Sequence, residues 1–172
     1  VGDIVEPVAA WQEEKFKQSG RQWDYVFRRL FYAYSPRIDS EPFGAWVELA
    51  NLDATAGAIR NGDIHVGDHG LVYVLWSQTN ADHRLRARFF PDVEIEHALY
   101  CGVLRDGVLE RKMLLAQAKN GAAAIPQLAR FHQMPSGQLL VLASFAGAGG
   151  HELRLAALDD GAIKWRNVPL ER

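Results

Sequence analysis

Two passages of this 172-residue chain repeat each other in step, and that repetition limits the possible folds more than any other feature. Gly70–Ser77, GLVYVLWS, matches Gly137–Ser144, GQLLVLAS, at an offset of 67, and the same offset lays His65 on His132 and Ile64 on Phe131. Further on, HALYCGVLRDG (97–107) matches HELRLAALDDG (151–161) at an offset of 54. The offsets differ by 13, so the first copy carries 13 additional residues between its second and third strands. Such a repeat is one supersecondary unit that hides its apolar surface against its neighbours.

Each copy reads as four strands: 63–67, 71–78, 97–105 and 108–116 in the first, 128–134, 138–145, 151–158 and 162–168 in the second. The turns GDHG and MPSG, and RDG and DDG, carry the Gly and Asp that tight hairpins require. Four antiparallel strands per repeat predict an all-β chain of β-propeller blades. A β-sandwich has similar strand spacing, but does not account for His, Gly, Ser and Asp-Gly recurring in step. Upstream, 24–50 reads as the last two strands of a preceding blade, joined by a longer turn. The expected organisation is therefore a half blade over 24–50, a blade over 58–116 with an insertion at 79–96, and a blade over 125–170. The first 23 residues, including WQEEKFKQSGRQW, show no clear period and are expected to form a loop. Propellers have about four to eight blades, so the predicted ring is incomplete. It is a piece of a longer protein, or it closes with another chain.

Composition sets aside several classes. With 48% hydrophobic and 23% charged residues and a net charge of −2, the chain is globular and lacks the basic face of a nucleic-acid binder. Its longest apolar runs are far shorter than the ~20 residues that cross a bilayer as a helix, so no membrane association is expected. The lone Cys101 allows no internal disulfide and is expected to pack as a small apolar residue.

The stretch SPRIDSEPFGAW supplies Ser35, Asp39, Gly44 and Trp46. It resembles a stretched Asp box, the Ser-x-Asp-x-Gly-x-Thr-Trp turn of BNR-type sialidase-like propellers, with the Thr missing. NLDATAGAIRNGD and FHQMPSGQLLVL are also similar to this class. The resemblance implies a secreted or periplasmic protein that binds or cleaves glycans, with Asp boxes in a structural role. The three arginines, Tyr–Glu pair and acid Asp of such sialidases match no motif here. ALDDGAIKW (157–165) resembles a quinoprotein turn, but a single copy without its Thr does not call for a quinone, and no cofactor is expected.

The loops joining second to third strands, and blade to blade, are long (52–62, 79–96, 117–127), so their face is the expected working face. Asp63 and His65 there alternate with Ile64, and Arg130 and His132 with Phe131. A carboxylate, two imidazoles and a guanidinium near the axis suit acid–base work, Asp63 being the candidate catalytic residue. Alternatively, His65 and His132, matched between copies, bond loop carbonyls. His97 and His151, also matched, are expected to be structural. Arg60, with no acidic neighbour in sequence, is the arginine expected to contact ligand, while Thr55 and Gly57 shape the turn before it. In the insertion, HRLRARFFPDVEIE, Arg84, Arg86 and Arg88 share one side of an extended chain. They either clamp an anion or face Glu96, Glu94 and Asp92 across a hairpin, with Phe89 and Phe90 at its tip. No His or Cys cluster has metal spacing. Two functions are thus expected: a glycan-acting, sialidase-like propeller, or a non-catalytic propeller that binds or scaffolds. Hydrolysis requires a second carboxyl, or a Tyr nucleophile, beside Asp63.

Overall fold

The computed structural model describes residues 4–21, 24–147, 149–159 and 163–169. In chain order the elements are β1 (Ile4–Val5), α1 (Ala9–Ser19), β2 (Tyr25–Val26), β3 (Arg29–Tyr32), β4 (Val47–Asn51), a 3-10 turn (Asp53–Thr55), β5 (Ala58–Val66), β6 (Leu71–Thr79), α2 (His83–Phe89), β7 (Glu96–Arg105), β8 (Val108–Lys119), β9 (Ile125–Gln133), β10 (Leu139–Gly147), β11 (Gly150–Ala157) and β12 (Arg166–Val168). The chain is mostly β, in antiparallel sheets, and among the described residues no sheet closes on itself. It divides into two compact units, Val1–Ile59 with Gln78–Glu96, and Arg60–Ser77 with His97–Arg172.

The repeat accounts for the second unit. Its sheets run as two meanders, β5-β6-β7-β8 and β9-β10-β11-β12, one for each copy, with a few strand-end residues of the first sheet belonging to the first unit. The β7–β8 turn places Asp106 (φ 47°) and Gly107 (φ 82°) in left-handed geometry, as a two-residue hairpin requires. The two turns of the first sheet also meet: Asp106 N–H donates to the Gly70 carbonyl at 3.1 Å. The first copy's strands are longer than expected, its first beginning at Ala58 and its fourth ending at Lys119. The second copy's fourth strand is short, covering Arg166–Val168, and residues 160–162 of its DDG turn lie outside the described residues.

Side chains alternate across a strand, so each sheet offers two different faces. In the second sheet, Val141 pairs with Ala156 and Leu142 with Leu155. Val141, Ala143, Phe145 and Ala129 point to one side, where they form the buried core with Leu75, Leu99, Cys101 and Leu115 of the first sheet. Removal from water on this scale contributes about 1.5–3 kcal/mol per large aliphatic side chain. Cys101 is fully buried there, as expected, and burial pushes its thiol up to about 12.

The first unit departs from expectation in two places. The leader is a helix rather than a loop. α1 ends at Gly20, whose left-handed φ of 66° lets its N–H close on the Phe16 carbonyl. Trp23 lies outside the described residues. The insertion is also a helix rather than a cross-strand hairpin. Asp82 caps α2 by accepting the Arg84 N–H at 3.0 Å, Leu85 is buried, and Phe90–Pro91 stops the helix. The half blade expected at 24–50 is β3 paired with β4 across a long loop, with a register shift between Leu30 and Phe31. β2 pairs instead with β1.

Candidate functional site

Three of the expected site residues meet at one seam of the second unit. Asp63 of β5 accepts the Phe131 N–H of β9 at 3.0 Å through Oδ2 and the Ile64 N–H at 2.9 Å through Oδ1. Arg130 donates to the Gly62 carbonyl, and to that of Ala129 at 3.3 Å. Arg60 donates to the Gln127 side-chain oxygen at 3.3 Å. Arg60, Asp63 and Arg130 are therefore gathered as the sequence suggested, but each engages backbone or amide groups along two neighbouring first strands. A carboxylate with both oxygens on backbone amides acts as a stitch between strands.

The matched imidazoles do not converge. His65 sits in a ring cluster with Tyr73 and Phe131, at 6.0 Å from each centroid. His132 is exposed and pairs with Leu140, on the opposite face of β9 from Phe131. His97 is half-buried, and burial, reinforced by the charge of Arg60 against a hydrogen bond with Asn120, lowers its pKa. His151 is exposed, opposite Ala146 on β10.

The insertion arginines do not form an anion clamp, because the helix separates them. Arg84 binds Asp24 at 2.9 Å and Asp82 at 2.7 Å, Arg86 donates to the Val93 carbonyl at 2.7 Å, and Arg88 reaches Glu14 at 2.8 Å. Nor do Phe89 and Phe90 form a free tip, since both pack edge-to-face against Trp11 of α1, with ring centroids at 6.4 and 5.5 Å. Thr55 does shape the turn before β5, donating to the Asn80 carbonyl. The left-handed residue there is Ala56 (φ 54°), while Gly57 is needed for space: a Cβ on it would lie 2.6 Å from the Thr79 carbonyl oxygen.

A buried ionic network in the first unit was not legible in the sequence. Lys15, 1% exposed, contacts Glu6 at 2.8 Å, Asp24 at 3.0 Å and Asp82 at 3.2 Å. Arg28 holds both oxygens of Glu6 and lies 5.0 Å above the Trp11 ring. Burial alone would raise the three carboxyls, but the hydrogen bonds and charges of Arg28, Lys15 and Arg84 outweigh it, and Asp82 falls to about 2. Three cations match three anions, so the network is self-contained and staples β1 and both helices together.

Among the described residues, two surfaces stand out. In the first unit a cavity of about 700 Å³ lies between Ile4, Trp11, Phe31 and Trp46, with the Arg29–Asp53 ion pair among its lining residues. Trp46, the last residue of the suggested Asp box, is 73% exposed and stands 5.5 Å from Phe31. In the second unit, the outer side of β9–β12 carries half-exposed Leu140, Leu142, Leu153 and Leu155, with a shallow cavity of about 430 Å³ reaching Lys164 and Arg166. Among the residues by which the first sheet meets the second are Tyr73, Leu75, Leu99, Cys101, Asp63 and His65, with Leu115 and Met113 beside them. The repeat equivalents of the first six are Leu140, Leu142, Leu153, Leu155, Arg130 and His132. All six belong to this outer face. No family model, curated protein or solved structure matches the chain.

Proposed function

We propose that the chain is a non-catalytic module of β-propeller type that works by presenting apolar faces to protein partners. One observation carries this reading: the outer face of the second sheet carries the repeat equivalents of six residues with which the first sheet docks, Leu140, Leu142, Leu153 and Leu155 among them. A head-to-tail repeat of that kind is how blades stack. The commitment of Asp63 to two backbone amides supports the non-catalytic part, since a general acid or nucleophile needs an oxygen free to reach substrate. The test is a panel of aryl glycosides, sialosides included, incubated with the full chain. No aryl release is expected. Turnover that Asp63→Asn abolishes would overturn the reading.

A second reading, glycan binding, is favoured by Trp46, whose exposed ring beside Phe31 has the form of a sugar-stacking platform. Under it, free oligosaccharides would change the tryptophan fluorescence of the chain saturably, and Trp46→Ala would remove the change.

A further inference from the structure

We infer that the outer face of β9–β12 seats the aromatic face of the first unit of a second copy of this chain, head to tail. The inference rests on the propeller-module reading and goes beyond it by naming the partner.

The outer face offers an apolar patch that a partner can cover. Leu140, Leu142, Leu153 and Leu155 form four neighbouring aliphatic positions on two paired strands, each only half-buried. Their equivalents Leu75, Leu99 and Cys101 are at most 1% exposed once a sheet lies over them. Leu128, 45% exposed, continues the patch along β9, where the Ser144 hydroxyl meets its backbone.

What covers the patch follows from charge and composition. Lys164 and Arg166 line the cavity beside the leucines with one carboxylate, Asp159, and Arg130 pairs with Leu142 on the same face, so the face carries an excess of cations and pairing it with another copy of itself would set like charges together. The aromatic face of the first unit is the complement. Phe31 lies opposite Glu48 across β3–β4, with Ile4 and Trp46 exposed nearby and Asp53 among the lining residues. It offers aromatic side chains with Glu48 and the Arg29–Asp53 ion pair, an excess of one carboxylate, against leucines whose cations outnumber the single carboxylate Asp159. On the other side of the same two strands, Leu30 and Ala50 are buried, so the aromatic side is the one left open. An interface between two different patches of the same chain is heterologous, and each copy then carries one half of it at each patch.

That geometry makes a specific demand on mixtures. Mass is measured by light scattering over a range of concentrations, with salt varied, for the wild type, Trp46→Glu and Leu128→Glu. Both substituted side chains are exposed, and circular dichroism checks that each variant remains folded. The wild type is expected to rise above 19.2 kDa with concentration, and less so in high salt. Each variant alone is expected to stay at 19.2 kDa, because every copy in the sample lacks the same half of the interface. An equimolar mixture of the two is expected to form one-to-one dimers, since one variant keeps the aromatic face and the other keeps the leucine face. Leu142→Glu should behave as Leu128→Glu does.

A wild type that remains at 19.2 kDa at every concentration would overturn the inference, as would a mixture no heavier than its parts. Loss of association in Leu128→Glu with full retention in Trp46→Glu would mean self-paired sheets, and would equally overturn it. None of these results touches the glycoside panel, so the failure of this inference and the failure of the non-catalytic reading are separately visible.

Discussion

Single residues here act mostly through what they hold in place. Asp63→Ala would leave the Ile64 and Phe131 N–H groups without their carboxylate acceptor, at a cost of about 0.5–1.5 kcal/mol, whereas Asp63→Asn keeps one acceptor oxygen and should cost less. Denaturant midpoints of the two variants check the order; equal, negligible losses would contradict the stitch. Lys15 is the more demanding position, because removing it leaves Glu6, Asp24 and Asp82 close together without their common cation. Lys15→Ala is expected to cost about 3–5 kcal/mol, the usual penalty for breaking a buried ion group. The same residue explains why the leader looked structureless. Its buried side carries a charge at Lys15 while Phe16 points to solvent, so the hydrophobic period that announces a helix is absent.

At the scale of elements, strands were easier to read than helices. Period-two alternation and Gly–Asp turns located both meanders, since a half-buried strand writes its pattern locally. The insertion misled because Arg84, Arg86 and Arg88 alternate as a strand's side chains would, although Asp82 stands at the cap and Leu85 and Phe89 lie four apart. What chose the helix was its partner: Leu85 is buried, Phe89 packs on Trp11, and Arg84 meets Asp24, all of them contacts across long sequence distances. Asp82 has two tasks that substitution can separate. Asp82→Asn retains a good capping oxygen but loses its charge to Lys15 and Arg84, while Asp82→Ala loses both. The Ala variant should lose about 1 kcal/mol more than the Asn variant, read from thermal unfolding followed by circular dichroism. Indistinguishable variants would mean that the cap contributes nothing.

For the whole molecule, both units bury apolar side chains, but the buried ionic network belongs to the first. The network of Glu6, Asp24 and Asp82 with their cations lies in the first, and the aliphatic core between the two sheets lies in the second. Carboxyls whose folded pKa is depressed stabilise fully above their ordinary values and lose that contribution as pH falls through the folded ones. For Asp82 that window runs from 3.8 down to about 2 and is worth about 2 kcal/mol. Acid should therefore open the first unit before the second. Hydrogen exchange near pH 3 is expected to show protection lost from α1 and α2 while β6, β7 and β10 keep theirs; simultaneous loss would refute the division.

The sequence by itself determined the all-β class, the two meanders and their turns, because alternation and tight-turn chemistry are local and the repeat states them twice. It also brought Arg60, Asp63 and Arg130 to the same place, since residues at one repeat offset occupy equivalent strands. Only the tertiary structure decided that these three stitch a seam, that the leader and the insertion are helices, and that Lys15 is buried among carboxylates. Each of those outcomes depends on partners distant in the chain, whose contacts outweigh local propensity and leave no local pattern to read.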